Sequence, residues 1–325
     1  MTLPAARAAS DRPATSRTVR VYEVGPRDGL QNEPRTIATA DKRRFIEALV
    51  AAGLREIEAT SFVRPDRIPQ LADADALLPT LPRPAGVRYP VLVANRQGLD
   101  RAAAAGADAI AVFTAATDAF ARRNIGMSVA ESLESFEALL VEAGSRGWWR
   151  RAYISTAYGC PYSGAVDPAR PAEIAGRLLE LGADEICLGD TIGVAVPGQV
   201  EDVLGRVADR GVPIDRLAQH FHDTRGTALA NVTAALRVGV RCFDASTGGT
   251  GGCPYAPGAA GNLATEDLVY LLSAEGYEHG VDLGRLLDAA RLVSGLLDRP
   301  LGSKVGLAGG WDPTTGRPAD RPSEA

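Results

Sequence analysis

The chain has 325 residues, 46% of them hydrophobic, with 35 basic and 40 acidic side chains and a formal net charge of -5 at pH 7. This length suits one large domain or two modest ones, and the acidic balance argues against a nucleic-acid footprint. No apolar run reaches the roughly 18 residues of a membrane span, which excludes a spanning helix. Four cysteines in so long a chain make no disulfide framework and point to a reducing cytosol.

Residues 1–18 are rich in Ala, Arg and Ser and carry one acid, Asp11. That composition mimics a mitochondrial transit peptide, but a disordered bacterial leader is the plainer reading. Lysine occurs only at Lys42 and Lys304 while arginine is abundant, as a GC-rich genome would produce, so a cytoplasmic bacterial protein is expected. Strands are predicted over 19–24, 56–60, 89–94, 109–114, 152–156, 185–189, 217–222 and 242–246. Helical patterns lie between most of them, as at 40–52, 128–143, 171–181 and 227–238. Eight alternating units fit an α/β (β/α)8 TIM barrel over 19–308 better than an open doubly wound sheet. Residues 309–325, rich in Gly, Pro and charge, should be a second disordered tail.

A weak internal repeat agrees. AGLREI (52–57), AGADAI (105–110), LGADEI (181–186) and VGVRCF (238–243) each read as a helix end, a glycine and a new strand. Glycine past a helix end adopts the left-handed conformation at little steric cost. The repeat is therefore structural and carries no chemistry.

A barrel of this kind collects function at the C-terminal ends of its strands. Arg27 and Asp28 follow the first strand; Glu58, Thr60 and Ser61 mark the second; Asn95 follows the third. Thr156, Asp190 and the pair His220 and His222 end later strands, and Cys253, Asn262 and Glu266 follow the last. Two of the chain's three histidines sit one residue apart. Residues i and i+2 of a strand share a face, so both imidazoles would project together as half of a metal site. The competing reading is two ordinary polar residues at a strand end. With Asp28, and Asn262 as a further donor, the set is oxygen and nitrogen without thiolate, which suits Mg²⁺ or Mn²⁺ and leaves Zn²⁺ or Co²⁺ open. One cation holding a hydroxyl and a carbonyl oxygen points to metal-assisted carbon–carbon bond cleavage or formation. An imine aldolase needs a strand-end lysine, and neither Lys42 nor Lys304 is so placed. Arg27 either stabilises enolate charge or merely pairs a neighbouring acid, and its place after the first strand favours the former. The glycine-rich stretch 248–262 lacks the lysine of a phosphate loop and reads as a lid carrying one thiol, Cys253, as a proton donor. A second GCPY at 159–162 warns that the tetrapeptide is a turn, and Cys160 and Cys187 read as packing residues.

The stretches EVGPRDGLQNE (23–33), EATSFV (58–63), GDTIG (189–193), HFHDT (220–224) and GGCPYAPGAAGNLATEDL (251–268) closely resemble the 3-hydroxy-3-methylglutaryl-CoA lyase family of metal-dependent lyase and synthase barrels. The last stretch is the most specific. The resemblance implies cleavage of 3-hydroxy-3-methylglutaryl-CoA to acetyl-CoA and acetoacetate, as in leucine degradation and ketone-body metabolism. It implies a divalent cation, Mg or Mn, on Asp28, His220, His222 and Asn262. Arg27 would stabilise the thioester enolate, Glu58 and Asp190 would hold metal-site water and neighbouring side chains, and Glu266 would orient the loop. Cys253 would protonate the acetyl-CoA enolate, and Asp28 or His220 would serve as base. Arg27, Gln31, Ser61, Arg35 and Asn124 would contact the acyl-CoA thioester; Arg35 is the candidate because Pro34 stands after Glu33, where the family often has a basic residue. A homodimer is also implied.

Departures are Phe221 between the histidines, which strand alternation points away from the site, Arg225 after Asp223 and Thr224, and the run 247–250. They leave room for a relative of the usual substrate, such as citramalyl-CoA. The other readings are a Claisen-type acyl-CoA synthase, an oxo-acid aldolase and a non-catalytic binding protein. The complete ligand set argues against the last.

Overall fold

The computed structural model of the protein describes residues 17–252, 261–312 and 317–319. Its main sheet contains β1 (Arg20–Glu23), β2 (Glu56–Ile57), β3 (Thr60–Ser61), β4 (Val91–Leu92), β5 (Ala109–Ala115), β6 (Trp149–Ser155), β7 (Glu185–Asp190), β8 (Leu217–Phe221) and β9 (Cys242–Ala245). The nine strands are ordered β2-β1-β9-β8-β7-β6-β5-β4-β3, and every pairing is parallel. The expected eighth-part strand at 56–60 is thus two short pieces. β2 pairs with β1 and β3 pairs with β4. Between them, Glu58 N donates to Glu23 O (2.8 Å) and Ala59 N to Pro90 O (3.1 Å).

The helices are α1 (Thr39–Ala51), α2 (Ala74–Leu77), α3 (Arg96–Ala104), α4 (Asp118–Ile125), α5 (Val129–Ser145), α6 (Ala169–Glu180), α7 (Pro197–Asp209), α8 (Ala228–Val238), α9 (Thr265–Ala274), α10 (Leu283–Leu297) and α11 (Lys304–Ala308). Local chemistry starts several of them. Ser128 and Glu131 form a reciprocal capping box at α5, and Pro197 opens α7, where no amide donor is needed. Asn95 caps α3 by accepting from Gly98 N (2.9 Å), so its polar character at a strand end is structural. The repeat glycines Gly53, Gly106, Gly182 and Gly239 all take positive φ, as their place past helix ends requires.

Strand alternation divides the core. Leu217 and Phe221 of β8 join the large layer shared with the helices, while Ala218 packs inward with Tyr22, Tyr153, Cys187 and Cys242. Phe221 therefore faces away from the histidines' side, as its period-two position demanded. The interior also holds charge: Arg151 is the largest fully buried side chain.

At the N-terminal boundary, Thr18 bridges Glu278 and Arg17 stacks on Tyr277. Past 309, where composition predicted no structure, β10 (Gly310–Asp312) pairs antiparallel with β11 (Arg317–Ala319). No helix among the described residues is long and apolar enough to cross a membrane.

Candidate active site

Directly after β1 the backbone coils tightly. Val24 O accepts from Arg27 N (3.1 Å), Asp28 N (2.7 Å) and Gly29 N (3.2 Å). The coil is fastened from below by Glu23, which is fully buried. Glu23 Oε1 accepts from Gly25 N and Thr247 N, and Oε2 accepts from the hydroxyls of Thr247 and Thr265. One carboxylate thus joins the turn bearing Arg27 and Asp28 to the segment after β9.

Asp28 is the hub. Its Oδ1 accepts from Arg27 Nη1 (2.6 Å) and Gln31 Nε2 (2.8 Å), and its Oδ2 accepts from Asn262 Nδ2 (2.8 Å). Ligand atoms of Asp28, His220 and His222 all lie within 4.8 Å of one another. Asn262 joins them because residues 262–264 run alongside the strand ends: Leu263 N donates to Phe221 O (3.0 Å) and Ser246 N to Leu263 O (2.9 Å).

These residues fit a hard divalent cation. His220 Nδ1 faces Asp244 Oδ2 at 3.2 Å, which leaves Nε2 for the site. The amide of Asn262 donates through Nδ2 to two acceptors, Asp28 and Thr250 O, so its oxygen is turned the other way. Among the described residues, neither that Oδ1 nor Nδ1 of His222, both buried, has a hydrogen-bond partner. Buried orphan acceptors are costly, and a cation would satisfy them. Charge agrees. Burial opposes ionisation of Asp28, but Arg27 and the imidazoles outweigh it and hold the carboxyl at about 2. Burial, then His220, lowers His222 to about 3, so it is a neutral donor at physiological pH.

Arg27 is clamped by Glu58, whose Oε2 accepts from Nε (2.9 Å) and Nη2 (2.7 Å) and from the Tyr153 hydroxyl (3.2 Å). Burial works against the guanidinium charge, but Glu58 and Asp28 overcome it and raise Arg27 above its ordinary value. Glu266 accepts from Gly248 N with both oxygens (2.9 and 3.0 Å), and burial pushes its carboxyl up to about 8. It holds the turn from which the cysteine loop departs.

A cleft of about 410 Å³ opens over this cluster. Arg27, Asp28, Gln31, Asn124, His220 and His222 line it, against an apolar wall of Leu92, Phe113, Phe120 and Ile154. Gly252 reaches its rim; Cys253 itself lies outside the described residues. Three expected residues sit differently. Ser61 is buried with its hydroxyl 3.4 Å from the carbonyl of Leu92, its partner on β4, and does not line the cleft. The Arg35 side chain is 57% exposed and lies 4.0 Å from Asp298, also off the wall. Asp190 spends both oxygens on Val194 N (2.9 Å) and Ala195 N (3.0 Å), which braces the loop after β7. Neither lysine lines the cleft: Lys42 is buried against Asp73, and Lys304 pairs with Asp223.

Sequence reading missed Glu23, Tyr153, Arg151 and Asp244. The usable signal for Asp244 was an ionisable residue inside an otherwise apolar strand run; Arg151 lies just ahead of the strand expected at 152–156, beside Arg150.

The HMGL-like family model matches residues 18–293. The chain is 49% identical over 290 residues to hydroxymethylglutaryl-CoA lyase of Pseudomonas mevalonii, covering 89% of this chain and 96% of that one. The crystal structure of hydroxymethylglutaryl-CoA lyase from Pseudomonas aeruginosa matches with a TM-score of 0.88 and 45% identity, over 90% of this chain and 98% of that one. An HMG-CoA lyase from Acinetobacter baumannii in complex with coenzyme A and 3-methylmalate matches with a TM-score of 0.86 and 36% identity, over 92% and 97% of the two chains. With the site's own residues in place and the match running from the first strand into α10, the chain belongs to the HMGL-like family.

Proposed function

We propose that the protein is a hydroxymethylglutaryl-CoA lyase, cleaving 3-hydroxy-3-methylglutaryl-CoA to acetyl-CoA and acetoacetate with a divalent cation, Mg or Mn. The observation that carries this reading is the convergence of Asp28, His220, His222 and Asn262 beside a clamped Arg27 at one cleft. The scaffold is read as a complete (β/α)8 barrel over 19–308, with 56–61 acting as a single closing strand. In support, Glu58 N bonds to β1 and Ala59 N bonds to the segment leading into β4.

A cation held by Asp28, His220, His222 and Asn262 supplies Lewis acidity to the substrate's oxygens. The protein's own groups do the rest. Of the two bases the resemblance implies, Asp28 is left to take the proton of the tertiary hydroxyl, since His220 turns Nδ1 to Asp244 and Nε2 to the cation site. As the carbon–carbon bond breaks, its electron pair becomes the enolate of the acetyl thioester, and the other fragment keeps the new ketone. Arg27 is held by Glu58 in one orientation, so its charge meets the enolate oxygen without reorganisation. Cys253 then donates a proton to the enolate carbon, on a loop whose base Glu266 fixes. Gln31 and Asn124 line the cleft and suit contact with the acyl-CoA. A bacterial source is supported by the lysine-poor, arginine-rich composition, a cytoplasmic location by the four cysteines in so long a chain, and the homodimer by the family resemblance; light scattering tests the last.

The deciding experiment follows acetoacetate from 3-hydroxy-3-methylglutaryl-CoA with metal stripped and then Mg²⁺ or Mn²⁺ restored. Product only with metal is expected. No product from metal-loaded protein would overturn the substrate and turn the search to other 3-hydroxyacyl-CoA thioesters, citramalyl-CoA first.

A further inference from the structure

His220 and Asp244 are direct partners in the parallel pairing of β8 with β9, so the register itself brings the carboxylate to the ring. Asp244 Oδ2 lies 3.2 Å from His220 Nδ1, and Oδ1 accepts from Arg151 Nη2 at 2.5 Å. The side chains of Arg151 and Asp244 are both 0% exposed. Arg151 lies over the Tyr22 ring, 3.7 Å from its centroid, and its Nε is 3.4 Å from Glu185. Glu185 in turn pairs with Arg20. Ionised groups in a parallel-sheet interior are costly, and an apolar pair of equal volume would fold as well. The two site imidazoles also differ. Among the described residues His222 Nδ1 is buried with no partner, whereas His220 Nδ1 has a fixed anionic one.

We propose that Asp244 is the positioning residue for His220: it accepts the Nδ1 proton, and so selects the tautomer whose bare Nε2 faces the cleft. Arg151 completes the device. It occupies the second oxygen and makes the carboxylate's orientation single-valued. The inference rests on the cation site proposed above.

Asp244→Asn gives a signed outcome. Arg151 has only donors, so it claims the amide oxygen of the new side chain. The amide N–H₂ then faces His220, whose Nδ1 must accept, and the proton moves to Nε2. The same exchange of tautomer accompanies carboxylate-to-amide substitution in serine-protease triads.

The test uses the full chain labelled with ¹⁵N-histidine. Only His220, His222 and His279 contribute, and His279→Gln and His222→Ala variants each assign one signal by loss, which leaves that of His220. In metal-free protein at alkaline pH, where imidazole is neutral, His220 should carry its proton on Nδ1. In Asp244→Asn it should move to Nε2, and Mn²⁺ affinity by calorimetry should fall about 10–100-fold with the far-UV spectrum unchanged. An Nε2-protonated His220 in the unaltered protein overturns the proposal, even if the variant fails to fold. Wild-type Mn²⁺ affinity in a folded Asp244→Asn protein overturns it too. His222→Ala separates the two levels. If that variant binds Mn²⁺ normally, the cation site itself is wrong; if it loses binding while Asp244→Asn changes nothing, only the role of Asp244 falls.

Discussion

Glu23→Ala should be among the most damaging single changes outside the cleft. Two backbone N–H groups, of Gly25 and Thr247, donate to Oε1 at 2.8 Å each. The hydroxyls of Thr247 and Thr265 donate to Oε2 at 2.8 and 2.7 Å. Alanine leaves all four facing a dry gap. The hydroxyls can rotate to other acceptors, but the backbone donors cannot. Each buried orphan costs about 1–3 kcal/mol, so the two amides alone set a loss of about 4 kcal/mol. That is a large share of the roughly 5–15 kcal/mol that holds a domain together. Glu23→Gln should cost only about 1 kcal/mol, because its oxygen still serves both amides and its N–H₂ can donate to the threonine oxygens. Urea unfolding followed by far-UV circular dichroism measures both, compared at equal slope. An alanine variant within about 1 kcal/mol of wild type, or a glutamine variant as damaged as alanine, would refute hydrogen-bond satisfaction as what holds this joint.

Three further outcomes are expected. Cys253→Ala should keep Mn²⁺ and thioester binding and lose about 10²–10⁴-fold in turnover, since the terminal proton donor is gone; undiminished turnover removes the thiol from the mechanism. Glu266 is an acid whose folded-state value, about 8, lies above its unfolded one. Its contribution is therefore fully present below about pH 4 and lost as pH rises through about 8, with an upper limit of roughly 5 kcal/mol. Glu266→Gln should flatten that decline, and parallel stability–pH curves for the two proteins would contradict the burial argument. At Gly261 a Cβ would stand 1.7 Å from Gly251 O, where the two ends of the cysteine loop meet. Gly261→Ala should displace Asn262 and weaken Mn²⁺ binding at least about tenfold by calorimetry, and unaltered affinity would show that the pinch does not position the ligand.

Much of the site was legible because its signals are local. Strand period alone put His220 and His222 on one face and Phe221 on the other. The glycines of the repeat announced the helix ends, and alternation of strand and helix patterns announced an all-parallel sheet. The Arg-Asp pair after β1 was legible as a pair at the strand end, and both residues line the cleft.

Other facts depended on partners far apart in the chain. Nothing near Ser61 or Arg35 says that neither reaches the cleft wall, and nothing near Asp190 says that two backbone amides take its oxygens. Glu23 looks like the last residue of a strand until Thr247 and Thr265 arrive to donate to it. Asp244 and Arg151 look like misplaced charges until the pairing of β8 with β9 sets one against His220 and the sheet interior sets the other beside it. Which face each strand residue takes can be read along the chain, because that period is a property of the local backbone. Which buried acid answers which donor emerges only on folding, because strand register and the return of a distant loop choose partners among chemically equal candidates.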